Sequence, residues 1–245
     1  MAERLGGLPL AAEQAAAFLS LRTGISFDDY AADIARLIKL PKPEGTKGEY
    51  PETVYAAFVK SLEALIDAED GAVALDILRL CAFLSPDGVD LVLLTSPTWI
   101  GEILPNPLAT AIANVFVREN GLAALGSFSL LRQEIGPAGT VLIVHRLLQE
   151  VMRDWMGTAD RDLWGSAAVR LVSGYFPGNA HSNPSIWPLC ARLIHHVAPL
   201  EAHASTLGQA GRALVRLLNE AAIYLRTRGN FGGAFSYSER SVALS

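Results

Sequence analysis

A chain of 245 residues with 51% hydrophobic and 18% charged residues can bury a substantial core, which excludes a disordered segment. Its net charge of -5, from 20 Lys and Arg against 25 Asp and Glu, argues against nucleic acid or an anionic membrane as the main partner. Every lysine lies at or before Lys60, and no basic tail follows.

The chain opens on Leu5-Gly6-Gly7-Leu8-Pro9-Leu10-Ala11. Two glycines permit a tight turn and close approach of a ligand, and Pro9 suits a first helical turn, where its missing N–H costs nothing. Leu10, Gln14, Phe18 and Leu21 continue at helical spacing until Gly24. Such a helix start presents free N–H groups and a positive dipole end, although spacing alone favours an ordinary turn and helix start. Ser26 with Asp28 and Asp29 caps a second helix carrying Tyr30, Ile34, Leu37 and Ile38. The polar stretch 41–48 reads as a loop. Tyr50-Pro51 starts a helix with an apolar stripe of Val54, Phe58, Leu62 and Leu65, and a further helix over 72–84 turns Leu75, Leu78, Cys81 and Ala82 inward. Ser85-Pro86-Asp87-Gly88 ends it.

In the middle third, 91–94 reads as a short helix, Pro97, Pro105 and Pro107 bracket loops, and 108–117 and 121–125 read as two more helices. The one convincing β signal follows: 128–131, a turn through 136–139, and 140–144. A hairpin behind several helices, with a helix over 145–156 after it, is the order of a winged helix. Beyond it the pattern is helical to 176, turns at 177–184, and resumes over 186–197 with Pro188 in the first turn. A long helix over 207–228 and a last one to 244 follow Gly229-Asn230-Phe231. There Gly229, Phe231 and Ala234 keep tetratricopeptide-repeat spacing, and Ala221, Ala222 and Leu225 fall at its packing positions. One such unit cannot bury its own apolar faces and normally needs stacked neighbours.

The expected fold is therefore mainly α: a helical domain over 1–69, a winged-helix domain with one short β-hairpin over 70–157, and a helical linker with tetratricopeptide-like hairpins over 158–245. Cys81 and Cys190 sit among apolar residues and read as buried free thiols. The N-terminus lacks a convincing cleavage site, and no stretch is apolar enough to span a bilayer. The expected location is cytoplasmic, without a membrane partner.

Three stretches together resemble the NB-ARC branch of the signal-transducing ATPases with numerous domains, especially bacterial members ending in tetratricopeptide repeats. Gly7-Leu8-Pro9-Leu10-Ala11 looks like the GLPLA motif that opens the family's first helical domain. Val144-His145-Arg146-Leu147-Leu148-Gln149 stands where the family carries its MHD-type motif, and 175–177 through 187–197 is similar to the segment joining winged helix to repeats. The resemblance implies a nucleotide, ADP or ATP, held between these two domains and a P-loop ATPase domain that supplies the magnesium site. It implies a nucleotide-binding set of Gly7, Leu8, Pro9 and His145, with Pro9 packing on adenine and His145 reaching the β-phosphate. It also implies two partners: the P-loop domain on the N-terminal helical domain, and further repeats or a protein ligand at the C-terminus.

Two features depart from the family. Arg146 replaces the Asp of many relatives, and no G-x-x-x-x-G-K-[ST] string occurs, so no catalytic residue is expected and the chain alone should not hydrolyse ATP. Both ends read as boundaries inside a larger architecture. A metal site at Cys190, His195, His196 and His203 lacks zinc spacing, and Gly126-Ser127-Phe128-Ser129-Leu130 fails the serine-hydrolase pattern at its last position. A helical protein-interaction module without a nucleotide role is the alternative. A winged-helix DNA binder is a weaker third, because 108–117 carries no basic residue.

Overall fold

In the computed structural model, which describes residues 8–40, 48, 50–95, 100–204 and 210–245, helix α1 (Pro9–Leu21) begins on proline, as its fixed φ dictates. It buries Ala11, Gln14, Ala15 and Phe18 on one stripe. Helix α2 (Phe27–Leu37) starts at a reciprocal cap: Ser26 Oγ accepts from the Asp29 N–H, and the Asp29 carboxylate accepts from the Ser26 N–H. Both helices pack on α3 (Glu52–Ile66), which buries the expected Val54, Phe58, Leu62 and Leu65 and also Ala56, Ala57 and Ala64. That second buried face meets α4 (Gly71–Cys81) and α9 (Arg146–Trp155).

The middle of the chain folds around α4. A three-stranded antiparallel sheet has the order β1-β3-β2, from β1 (Val89–Asp90), β2 (Arg132–Gly136) and β3 (Gly139–Ile143). Val89 pairs with Leu142, and Arg132 pairs with Ile143. Two corrections to the sequence reading arise here. β1 is an additional strand of two residues, too short to leave a periodic signal. The stretch 128–131 is not the first strand of the hairpin. It closes helix α8 (Val115–Ser127), with Ser129 in the left-handed region at φ 52° and the Leu130 N–H reaching back to Leu125 O. Phe128, Leu130 and Leu131 are apolar because that closure is buried, whereas β2 is an exposed edge strand on which even Ile135 faces solvent.

Helix α5 (Leu91–Thr95) lies where expected; α6 (Ile100–Ile103) was not foreseen. Pro107 belongs to the first turn of α7 (Asn106–Ala113), not to a loop. The expected helix over 108–117 is split at Asn114, whose Oδ1 accepts from the N–H groups of Phe116 and Val117 and starts α8. α8 then runs through Gly121, where a Cβ would stand 2.7 Å from Val73 Cγ1; the glycine lets α8 lie close on α4.

Helix α10 (Thr158–Tyr175) leads to α11 (Trp187–Leu193), with Pro188 in its first turn. The expected helix over 186–197 is interrupted by a 3₁₀ turn at Ile194–His196 before α12 (Val197–Ala204). Helices α13 (Gly211–Thr227) and α14 (Phe231–Ala243) form a hairpin through Gly229 at φ 80°. Ala221, Ala222 and Ala234 are buried between them or beneath them, and α13 rests on α10, α11 and α12. One hydrophobic cluster runs from Ala11 to Tyr224. Cys81 and Cys190 are buried free thiols within it. Among the described residues, no helix is long and apolar enough to cross a membrane.

Candidate functional site

The sequence nominates two chain segments far apart, the start of α1 and the start of α9. Gly7 lies outside the described residues. Leu8 is half-buried at the N-cap of α1 and Pro9 is exposed at its first position. No side chain caps this end, so the N–H groups of Leu10 and Ala11 have no helical partner, while the Ala12 N–H already bonds Leu8 O.

His145 follows β3 through the buried Val144 and is the N-cap of α9. Its Nδ1 accepts from the Leu147 N–H at 3.2 Å. The neutral ring therefore carries its proton on Nε2, and because His145 is exposed, that N–H is a donor open to a ligand. Arg146, also exposed, stands beside it at the first position of the helix.

A hydrogen bond relates the two segments. Gln14, buried in α1 rather more than one turn below Pro9, donates from Nε2 to Ser129 O at 2.8 Å. Ser129 leads into β2, whose Arg132 pairs with Ile143, two residues before His145. Helix α1 is thus tied to the closure of α8 just before the hairpin, and α9 starts just after it. Among the described residues no hydrogen bond links Leu8 or Pro9 to His145, and Gln14 Oε1 is buried without a partner.

Behind His145 the inner face of α9 is fixed in place. Gln149 Nε2 donates to Cys81 O at 2.9 Å and Leu84 O at 3.1 Å, and Arg153 donates to Ala82 O. Leu84 O and Ala82 O follow the end of α4, and Cys81 O also accepts from the Leu84 N–H. Asp154, 5% exposed, accepts through Oδ2 from the Gly48 N–H at 2.9 Å and the Tyr50 hydroxyl at 2.8 Å. Burial and the Asp154 carboxylate hold the Tyr50 hydroxyl well above its usual range. The sequence reading passed over Gln149 and Asp154. Both are polar residues set among the apolar residues of one helix, and that pattern was the available signal.

Two histidines of the C-terminal part, His196 and His203, are structural. His196, 2% exposed, accepts the Ser85 N–H on Nδ1 at 3.0 Å, while His195 is exposed. Burial, with the neighbouring His195, pushes His196 down to about 4. His203 sets its ring edge-on to Phe83 and is likewise pushed to about 4 by burial and then by Arg153. Among the described residues no three His, Cys, Asp or Glu side chains converge to hold a metal ion. The groove beside α7, between Pro107 and Val117, is uncharged, and Arg118 turns to Ile112 O and Glu119.

A second exposed feature is α14. Phe231 and Phe235 are 70% and 65% exposed and border a groove with Ile223 and Arg226 of α13. Arg226 is the charged residue lining that groove. No family model, curated protein or solved structure matches the chain.

Proposed function

We propose that this chain is the nucleotide-gated regulatory region of an NB-ARC-type signalling ATPase, acting with a P-loop domain supplied by another segment or chain. The observation that carries the reading is the exposed Nε2–H of His145 at the head of α9, just after the hairpin, while Gln14 ties α1 to the closure of α8 just before it. A histidine donor at a helix head suits a terminal phosphate, and the exposed Pro9 offers a flat apolar contact to a base. Neither supplies the glycine cradle that holds phosphates and magnesium, so the fit is to the two edges of ADP or ATP and not to its centre. The order of α7, α8, hairpin and α9 supports the winged-helix assignment over 70–157, and the buried Ala221, Ala222 and Ala234 support a first repeat in α13 and α14. In the resting state the two small domains close over ADP; on exchange they rotate away and release the repeat arm. The location on this reading is cytoplasmic.

The test is calorimetry of ADP with the chain and a separately supplied P-loop domain. His145→Ala and Pro9→Gly should each weaken ADP at least about tenfold, equivalent to about 1.4 kcal/mol. Unchanged ADP affinity in both variants overturns the site.

The alternative, a helical protein-interaction module, is favoured by the exposed Phe231 and Phe235. Fusing one further helical repeat behind α14 should raise the melting temperature, and Phe235→Ser should abolish the gain.

A further inference from the structure

We propose that Asp154 is a clasp that holds the N-terminal helices against α9 and so sets how readily the head of α9 can move; the inference rests on the nucleotide-gated reading. Among the described residues, polar links tie the N-terminal part to the middle of the chain at Gln14 with Ser129, just after α8, and at Gly48 and Tyr50 with Asp154, near the foot of α9. The foot of α9 is therefore tied directly to the N-terminal part. Nine residues separate His145 from Asp154, which on a straight helix is about 14 Å. A displacement at one end of so short a rod is carried to the other.

The chemistry of the clasp makes it discontinuous. One carboxylate oxygen collects a backbone N–H and a phenol hydroxyl, both from a segment more than 100 residues away in sequence. Its surroundings admit little slack: a Cβ on Gly48 would stand 2.8 Å from Asp154 Oδ2 and within the Tyr50 ring. Tyr50 is held in turn by stacking on Tyr55, with ring centroids 5.7 Å apart and planes 3° from parallel. A buried carboxylate tolerates little displacement from its donors. A small separation strips its donors before water can replace them, so partly open arrangements are disfavoured against the closed and the fully hydrated ones. Such a contact turns graded strain at the head of α9 into a two-state release.

The decisive measurement is the distance distribution between spin labels at Ala35→Cys on α2 and Gln133→Cys on β2, both exposed positions, with Cys81 and Cys190 buried and unreactive. The parent chain should give one narrow distribution. Asp154→Asn should add a second, displaced population, and Tyr50→Phe, which removes the hydroxyl bond to Asp154 and leaves the Gly48 bond, a smaller one. If Asp154→Asn fails to fold, Tyr50→Phe decides. Distributions superimposable on the parent in the folded variants overturn the clasp. With the P-loop domain present, ADP release should be severalfold faster from Asp154→Asn than from the parent. A parent that binds no ADP would overturn the nucleotide reading while the distance data still judge the clasp; equal release rates from both would overturn the coupling.

Discussion

His145 and His196 make the same hydrogen bond in opposite surroundings. Each accepts a backbone N–H on Nδ1, from Leu147 and from Ser85, and each therefore carries its neutral proton on Nε2. At the head of α9 that leaves an exposed donor. At the exit of α4 the ring is enclosed, and the same bond joins the linker after α10 to the end of α4. The comparison teaches that a histidine's usefulness to a ligand is decided by what covers its second nitrogen. Acceptance of a backbone N–H is common to both, and only His145 caps a helix.

The largest effect should come from the buried member. His196→Ala removes the acceptor of a buried N–H and leaves a void, so urea unfolding at pH 7 should show a loss of about 3 kcal/mol. A loss below about 1 kcal/mol would contradict the buried pairing. Acid should act on the same residue. In the unfolded chain His196 protonates near its ordinary value, about 6.5, but in the folded chain it resists to about 4. The unfolded state thus binds the extra proton, and stability should fall as pH drops from about 6.5 towards 4, by on the order of 3 kcal/mol. His203 adds to the same trend. Unfolding followed from pH 7 to 4.5 should give a shallower decline for His196→Gln than for the parent; identical slopes would break the assignment.

Smaller effects sharpen the other side. Ser129 closes α8 in the left-handed region, with 6→1 and 5→2 hydrogen bonds of the kind that also end α13 at Gly229. Ser129→Gly should stabilise by about 0.5–1 kcal/mol, read as a raised melting temperature, because glycine meets no Cβ penalty there. His145→Ala in the isolated chain should cost the least, about 0.5 kcal/mol for one exposed cap. A much larger loss would mean that His145 is a structural residue like His196.

The long helices were legible in sequence because their burial is periodic. Val54, Phe58, Leu62 and Leu65 recur at helical spacing, and Ser26 with Asp29 writes the start of α2 as a cap. The edge strand β2 was not legible: four of its five residues are exposed, so no alternation marks it. Asn114 was missed as a break because the apolar pattern runs through it, and Gly121 was mistaken for a boundary where it serves close packing on α4. At the candidate site, His145 could be singled out by its place behind the hairpin. The burial of His196 was also written in sequence, since Leu193, His196, Val197 and Leu200 share one stripe, but two adjacent histidines drew attention to metal chemistry instead. Asp154 depends on segment 48–50, and a pairing over that span of chain has no local signature.

The two thiols offer a chemical clock. Burial raises Cys81 to about 12, and Cys190 is also raised, so neither presents an appreciable thiolate to an alkylating reagent while covered. Cys81 lies at the end of α4 and Cys190 in α11 beneath α13. If the C-terminal helices open while the rest stays closed, Cys190 reacts first. If the chain opens as a whole, the two labels arrive together.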